Sequence, residues 1–301
     1  MSVEVVVKSS VHHGEGPHWD DVTQSLYYVD CYINEVHRFD TRSGNDTKIH
    51  LGDGLAVTIF IPRTRGGYLA TQLVGLSIVD SFDSDKVTPF VKILEDGQVL
   101  NDGKCDSSGR LWVGSTSGPR GATGIETWPT GLGSLFSVEA DGDVKSHLTS
   151  LDLPNGLDWS SDGRTMYFAD SARRQVWAFD FDVNAGKISN QRTVVDLGRS
   201  PIHEMSFPDG LVVDEEDKLW VALWDASKVA RFDPETGKMM QSVSFPCQRI
   251  TSCCFGGKNL DELYVTSSKY PEHLTETPLA GSLFKVTGLG VKGRRLNMFA
   301  G

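Results

Sequence analysis

The amino-acid sequence predicts an all-β fold, a six-bladed β-propeller, on three observations. A short motif with an aromatic second residue recurs six times along the 301 residues. The chain also contains 31 glycines, a proportion typical of many short strands joined by tight turns. Finally, no window of about 11 to 18 residues shows the 3.6-residue apolar period of a helix. Repetition, more than composition, therefore sets the expected fold.

Each copy of the motif supplies the second strand of an expected four-stranded sheet. The six aromatic markers are Tyr27, Tyr68, Trp112, Tyr167, Trp220 and Tyr264. Successive markers are separated by 41, 44, 55, 53 and 44 residues. These intervals are typical of propeller blades that carry loop insertions. Two packed β-sandwiches would also contain many short strands, but that architecture does not require repetition at a nearly constant interval.

A further strand-like run follows each marker, at 36–40, 76–80, 134–138, 176–180, 229–233 and 282–286. Three of these runs lead into Asp-x-x-x-Gly turns, in which glycine supplies the positive φ of a hairpin; they are Asp40–Gly44, Asp182–Gly186 and Asp233–Gly237. Six repeats fill residues 1–301 with one propeller domain. We expect the N-terminal segment Val3–Val7 to join the last sheet and close the ring.

Charge and hydropathy exclude several classes of partner. The formal net charge is −11 and the sequence pI is about 5.2, so the chain repels phosphate backbones and anionic lipids. No stretch approaches the ~20 apolar residues of a membrane-spanning helix, and the N-terminus lacks a signal-like apolar run. We therefore expect a cytoplasmic protein with no nucleic-acid or membrane partner. The sequence indicates no oligomeric state.

Polar residues stand at one shared offset, eleven or twelve positions before the aromatic markers. In five of the six repeats they are Glu15, Asn101, Asn155, Asp209 and Ser252, and the sixth repeat has Ala56. In a propeller the first strand of each blade lines the central channel, so these side chains should converge on one axis. Asn-Gly and Asp-Gly pairs are also ordinary turn signals. Their common offset from the markers favours a site.

Converging carboxylates repel each other and lose hydration, a cost that a bound cation relieves. The candidate ligands are oxygen donors without His or Cys at the equivalent positions. Such a set favours a hard divalent cation such as Ca²⁺, Mg²⁺ or Mn²⁺ over zinc or copper. Few protein ligands would leave positions for water or substrate, as metal-assisted hydrolysis requires.

Seven segments carry a resemblance to a known family, and they occur in the family's order; they are 14–19, 101–104, 155–160, 208–210, 219–222, 251–257 and 286–293. In them the chain resembles the regucalcin family, which includes senescence-marker protein, gluconolactonases and firefly luciferin-regenerating enzyme. The resemblance implies one divalent metal held by Glu15, Asn155 and Asp209, a set that accepts Ca²⁺, Mg²⁺, Mn²⁺ or Zn²⁺. It also implies aldonolactone-type lactonase activity, with Asp209 as the base that activates water and Asn101 orienting the substrate.

The substrate side departs from the family pattern. Val99 stands where vertebrate members have an Arg that holds sugar hydroxyls, and residues 115–120 lack the matching Glu. Losing these polar groups predicts poor binding of a polyhydroxylated lactone. The long insertion between the third and fourth markers is expected over the site, where Glu126, Arg120 or Trp128 would replace the lost groups. We assign Glu126 to substrate binding, and a rim loop without substrate contact is the alternative.

The sequence thus predicts a divalent-metal-dependent hydrolase of a lactone or related small cyclic ester. A calcium-binding or scaffold propeller with little catalysis is the alternative from another class. Luciferin-regenerating-type hydrolysis is a further alternative among the enzymes.

Overall fold

The protein folds into six four-stranded antiparallel sheets arranged in a ring, the six-bladed β-propeller that the repeats predict. The computed structural model describes residues 1–52, 56–84, 86–95, 97–117, 128–199, 206–270 and 277–301. Across these ranges the regular structure consists of strands alone, and no helix is present that could cross a bilayer.

Twenty-four strands build the blades, which we number 1 to 6 in chain order. The first half of the chain contributes β1 (Ser2–Val7), β2 (Gly14–Asp20), β3 (Ser25–Asp30), β4 (Glu35–Asp40), β5 (Asn45–His50), β6 (Phe60–Pro62), β7 (Tyr68–Thr71), β8 (Gly75–Val79), β9 (Val87–Lys92), β10 (Val99–Cys105), β11 (Leu111–Thr116), β12 (Gly133–Val138) and β13 (Val144–Leu151). The second half contributes β14 (Pro154–Trp159), β15 (Thr165–Asp170), β16 (Gln175–Asp182), β17 (Lys187–Asp196), β18 (Phe207–Val213), β19 (Leu219–Trp224), β20 (Lys228–Phe232), β21 (Met239–Ser244), β22 (Ile250–Gly256), β23 (Glu262–Ser267) and β24 (Leu283–Thr287).

Strand β1 closes the ring. It pairs with β24 in blade 6, with Val3 opposite Val286 and Val5 opposite Phe284. The expectation for residues 3–7 is therefore confirmed. Because the first and last segments of the chain share one sheet, opening the ring requires breaking a β-ladder.

The aromatic markers lie on the second strand of each blade, where five are buried and Tyr68 is partly buried. The two Trp markers show why this residue type recurs. Trp112 and Trp220 are fully buried. Each indole N–H donates to a carboxylate in the turn before its strand, from Trp112 to Asp106 Oδ2 at 3.0 Å and from Trp220 to Asp214 Oδ2 at 3.0 Å. We call Asp106 and Asp214 the turn carboxylates. A Trp here both fills the space between blades and satisfies a buried acceptor.

The first strands carry a shared irregularity at the polar positions. In β2, β10, β14, β18 and β22 the pairing with the second strand shifts within a few residues of the candidate site residue. The short β6 of blade 2 pairs without such a shift. A β-bulge re-aims side chains and recurs next to functional sites. Five of the six blades therefore present a re-aimed polar residue toward the channel.

Candidate functional site

The bulges bring three predicted residues together from blades 1, 4 and 5. Burial, followed by the charges of Asp209 and Asp102, raises the pKa of Glu15 well above its usual range. Burial and the charge of Asp102 likewise raise the pKa of Asp209, although the Asn155 side chain and the Gly210 N–H oppose the shift. Carboxylates influence each other in this way only when they lie close together. We call Glu15, Asp102, Asn155 and Asp209 the mouth cluster.

The mouth cluster concentrates negative charge without a matching cation. Among the described residues, neither Glu15 nor Asp209 forms an ion pair with a Lys or Arg. His13 Nε2 lies 3.9 Å from Glu15 Oε1, but burial lowers the pKa of His13 to about 4, so at neutral pH the imidazole is uncharged. A buried and a largely buried carboxylate that lack a counter-charge are costly in the folded protein unless a cation joins them.

Asn155 supplies an oxygen of the kind that a hard cation needs. Its Nδ2 donates to Ser171 Oγ at 3.1 Å, and that hydroxyl donates to the Pro208 carbonyl at 2.6 Å. Because the hydroxyl proton is used toward Pro208, the oxygen of Ser171 can only accept from Asn155, which fixes the orientation of the amide. Asn155 Oδ1 is buried and has no hydrogen-bond partner among the described residues. A buried acceptor beside two carboxylates fits Ca²⁺ or a similar ion.

The glycines after Asn155 and Asp209 let neighbouring first strands approach closely. A Cβ on Gly210 would collide with the Ser252 side chain, and one on Gly156 would collide with the backbone of Leu211. The Asn-Gly and Asp-Gly pairs lie inside strands β14 and β18. They are therefore part of the site's packing and not turn signals, which decides between the two interpretations of these pairs.

Asn101 lies at the same end of the channel. Its Nδ2 donates to the Pro154 carbonyl at 2.8 Å, directly before Asn155. Glu126 and Arg120 lie outside the described residues. Trp128 is described, and its Nε1 donates to Thr116 Oγ1 at 2.7 Å. Since Thr116 pairs with Val99, the indole reaches the strand position next to the one where the resemblance implies an Arg.

Sequence reasoning missed the third carboxylate of the cluster. Partial burial raises the pKa of Asp102, while Lys104 and the Gly103 N–H act in the opposite direction. Lys104 is 15% exposed, and its Nζ lies 3.3 Å from Asp158 Oδ2 and 3.0 Å from the Leu211 carbonyl. The available signal for Asp102 was its position beside Asn101 in the bulge.

A metal centre built mainly from charged side chains is absent from the described ranges. They contain no group of three or more His, Cys, Asp and Glu side chains able to hold a metal ion. The set expected here differs, because it combines two carboxylates with one amide. Such sparse protein ligation suits cations that retain several waters.

Comparison with known proteins places these features in a family. The family model described as "SMP-30/Gluconolactonase/LRE-like region" matches residues 13–269. Regucalcin from Sus scrofa is 38% identical over 311 aligned positions, which cover 100% of this chain and 99% of that protein.

Two solved structures share the whole propeller. A luciferin-regenerating enzyme superposes with a TM-score of 0.91 at 32% identity, covering 99% of both chains. A regucalcin from Agrobacterium tumefaciens, described as a calcium-binding protein, superposes with a TM-score of 0.87 at 25% identity, covering 99% of this chain and 97% of that one.

Proposed function

The chain belongs to the SMP-30/gluconolactonase/LRE-like family, and on that basis we propose a divalent-metal-dependent hydrolase of a lactone or related small cyclic ester. The observation that carries the proposal is the mouth cluster, in which the buried Asp209 and the largely buried Glu15 have no Lys or Arg partner among the described residues, and the buried Oδ1 of Asn155 has no hydrogen-bond partner there. Glu15, Asn155 and Asp209 would hold the cation. When bound, it would polarise a carbonyl or lower the pKa of a water.

Asp209 is the proposed base. It takes a proton from water as the water oxygen bonds to the lactone carbonyl carbon, and the ring C–O bond then breaks. The proton passes to the leaving alkoxide oxygen, so the product is one hydroxy acid. Ser171 holds Asn155 against the base, and Asn101, fixed on the Pro154 carbonyl, orients the substrate.

The substrate is proposed to be small and less polar than a sugar lactone. The Val99 side chain cannot form a hydrogen bond, and the nearby Trp128 indole already donates its N–H to Thr116. A site built to hold hydroxyl groups needs donors and acceptors at such positions. The net charge of −11 supports a small-molecule substrate over a nucleic acid or a membrane surface.

Two related functions remain as second candidates. The description of the Agrobacterium relative as calcium-binding favours a calcium-binding propeller with little catalysis. The similarity to a luciferin-regenerating enzyme favours hydrolysis of the kind that such an enzyme performs. We assign all three functions to the mouth cluster, so one panel of substrates and ions separates them.

The experiment is a lactone panel run on metal-stripped protein with Ca²⁺, Mg²⁺, Mn²⁺ or Zn²⁺ restored in turn. We expect no turnover without metal and recovery with at least one ion. Asp209→Ala should abolish turnover and metal retention, whereas Asp141→Ala, in an exposed turn, should change neither. Metal retention without turnover of any lactone would favour the calcium-binding candidate. Full turnover in Asp209→Ala would refute the mechanism.

A further inference from the structure

Four rings form a continuous cluster beside Glu15. His13 meets Tyr32 edge-on with ring centroids 5.3 Å apart, and it lies 5.6 Å from Trp224. Tyr32 in turn stacks on Tyr270 at 4.7 Å with 27° between the ring planes. All four rings are only partly buried. We call His13, Tyr32, Trp224 and Tyr270 the aromatic arc.

Strand register places the arc at the same end of the channel as the mouth cluster. His13 bridges to Ser268, two residues before Tyr270, and Nε2 of His13 lies 3.9 Å from Glu15 Oε1. Trp224 pairs with Phe207, two residues before Asp209. The arc therefore borders the cluster along the boundary formed by blades 1, 5 and 6.

Polar contacts hold the arc in place. His13 Nδ1 is 2.9 Å from Ser268 Oγ. The Arg249 guanidinium lies 5.5 Å from the centre of the Trp224 ring, and its Nε is 3.2 Å from Asp225 Oδ1. An arc fixed in this way presents ring surface without first having to order side chains, which lowers the cost of binding.

Across the mouth from the arc, two of the described residues are apolar as well. Val99 and the Trp128 indole occupy the region where the family resemblance implies a hydroxyl-binding Arg. A polyhydroxylated ligand would meet ring faces on one side and a valine on the other, so only Asn101 and the mouth cluster would offer partners to its hydroxyls. An aromatic ligand would instead bury its ring against surfaces of the same chemistry.

We propose that the aromatic arc is a subsite for an aryl group, so that the preferred substrates are lactones fused to or bearing an aromatic ring. This inference rests on the proposed hydrolase function, because it names the substrate class of that same site. The arc selects the group next to the ester, and the mouth cluster acts on the ester itself.

Two lactones with the same six-membered ring test the proposal. Dihydrocoumarin is δ-valerolactone with a fused benzene ring, and its phenol leaving group makes it intrinsically more reactive. The aryl contact is therefore read from how a substitution changes the ratio of the two kcat/KM values, once each spontaneous hydrolysis rate is subtracted. We expect the metal-loaded protein to prefer dihydrocoumarin. Trp224→Leu should lower its kcat/KM about 10-fold and leave δ-valerolactone nearly unchanged, while Trp224→Phe should retain most of the preference.

Tyr32→Leu provides a second arc variant in case Trp224→Leu fails to fold, as monitored by thermal melting. Phe90→Leu is the matched control, because it removes a partly buried ring from β9, an outer strand of blade 2. Equal losses on both lactones would overturn the proposal, and so would identical behaviour of Trp224→Leu and Trp224→Phe.

Calorimetric binding of 3-phenylpropionate, compared with pentanoate, gives a readout that does not need turnover. Tighter binding of the aryl acid that weakens in Trp224→Leu supports the subsite even if no lactone is hydrolysed, an outcome that would refute only the hydrolase function. Equal binding of the two acids would refute the subsite while leaving lactone hydrolysis intact.

Discussion

The two ends of strand β18 carry buried carboxylates with opposite surroundings. Asp209, near the start of the strand, is 6% exposed and lies against the like charge of Asp102. Asp214, directly after its end, is fully buried and accepts from Arg231 Nε at 2.7 Å and Trp220 Nε1 at 3.0 Å. Strand β10 repeats the contrast, with Asp102 at the mouth and Asp106 at the other end.

This difference separates the carboxylate that we propose as functional from a structural one of the same type and similar burial. Asp106 accepts from Arg110 Nη1 at 2.8 Å and from Trp112, so its charge is neutralised within the blade. Glu15 and Asp209 form no ion pair with a Lys or Arg among the described residues, the charge of Lys104 acts on Asp102, and the rest of the fold holds the like charges together. Strongly perturbed carboxylates gathered at the end of a channel are typical of binding and catalytic sites.

Asp209→Asn should give the largest effect of the variants considered, a loss of turnover. The substitution keeps the shape of the side chain but removes the proton acceptor and one charged ligand, so kcat/KM should fall about 10³-fold. Thermal melting of the metal-free protein should show no loss of stability, because a repelling charge has been removed. Turnover near the wild-type level would place Asp209 outside the chemistry.

Asp214→Asn should have the reverse profile. Arg231, 7% exposed, would keep only Glu216 as a carboxylate partner, so the free energy of unfolding should fall by about 3 kcal/mol. Activity per folded molecule should stay within a few-fold of wild type. Denaturant unfolding checks this, with the exposed Asp180→Asn as the control that costs little. A stable but inactive Asp214→Asn variant would show that Asp214 contributes to activity and not to stability, so the two ends of strand β18 would not differ in role.

The fold was predictable because each blade repeats a local pattern, and the markers, the hairpin runs and the closing strand are all where the sequence places them. The position of Asp102 in the mouth cluster was not predictable, because the register of strand pairing shifts between Leu100 and Gly103. Inside a bulge, strict alternation fails, so alternation cannot say which of Asn101 and Asp102 faces the axis.

Contacts between blades were equally hidden from sequence patterns. Lys104 pairs with Asp158 of the next blade, across 54 residues of chain, and no local spacing links them. The aromatic arc likewise joins residues from three blades. The repeat period predicts which residues lie on a first strand. Which of those residues contact each other across blades depends on how the ring closes.

Added metal should stabilise the mouth cluster and leave the turn carboxylates unaffected. At a free ion concentration of 100 Kd, a ligand that binds only the folded state adds about 2.7 kcal/mol to the free energy of unfolding. Calorimetric melting should show this increase for wild type and Asp214→Asn, and lose it for Asp209→Asn and Glu15→Gln. An increase that survives in Glu15→Gln would mean that the cation binds elsewhere.

The pH dependence of the metal-free protein should give the smallest effect. The raised pKa values of Glu15 and Asp209 mean that the folded protein holds protons which the unfolded chain has already released. Between the ordinary carboxyl pKa and the raised one, each of these groups should lower the free energy of unfolding by about 1.4 kcal/mol for every pH unit, and above the raised pKa values the loss should level off. Subtracting the curve of the Glu15→Gln/Asp209→Asn double variant removes the contribution of all other groups. A flat difference curve would show that folding does not raise the pKa values of these two carboxyl groups.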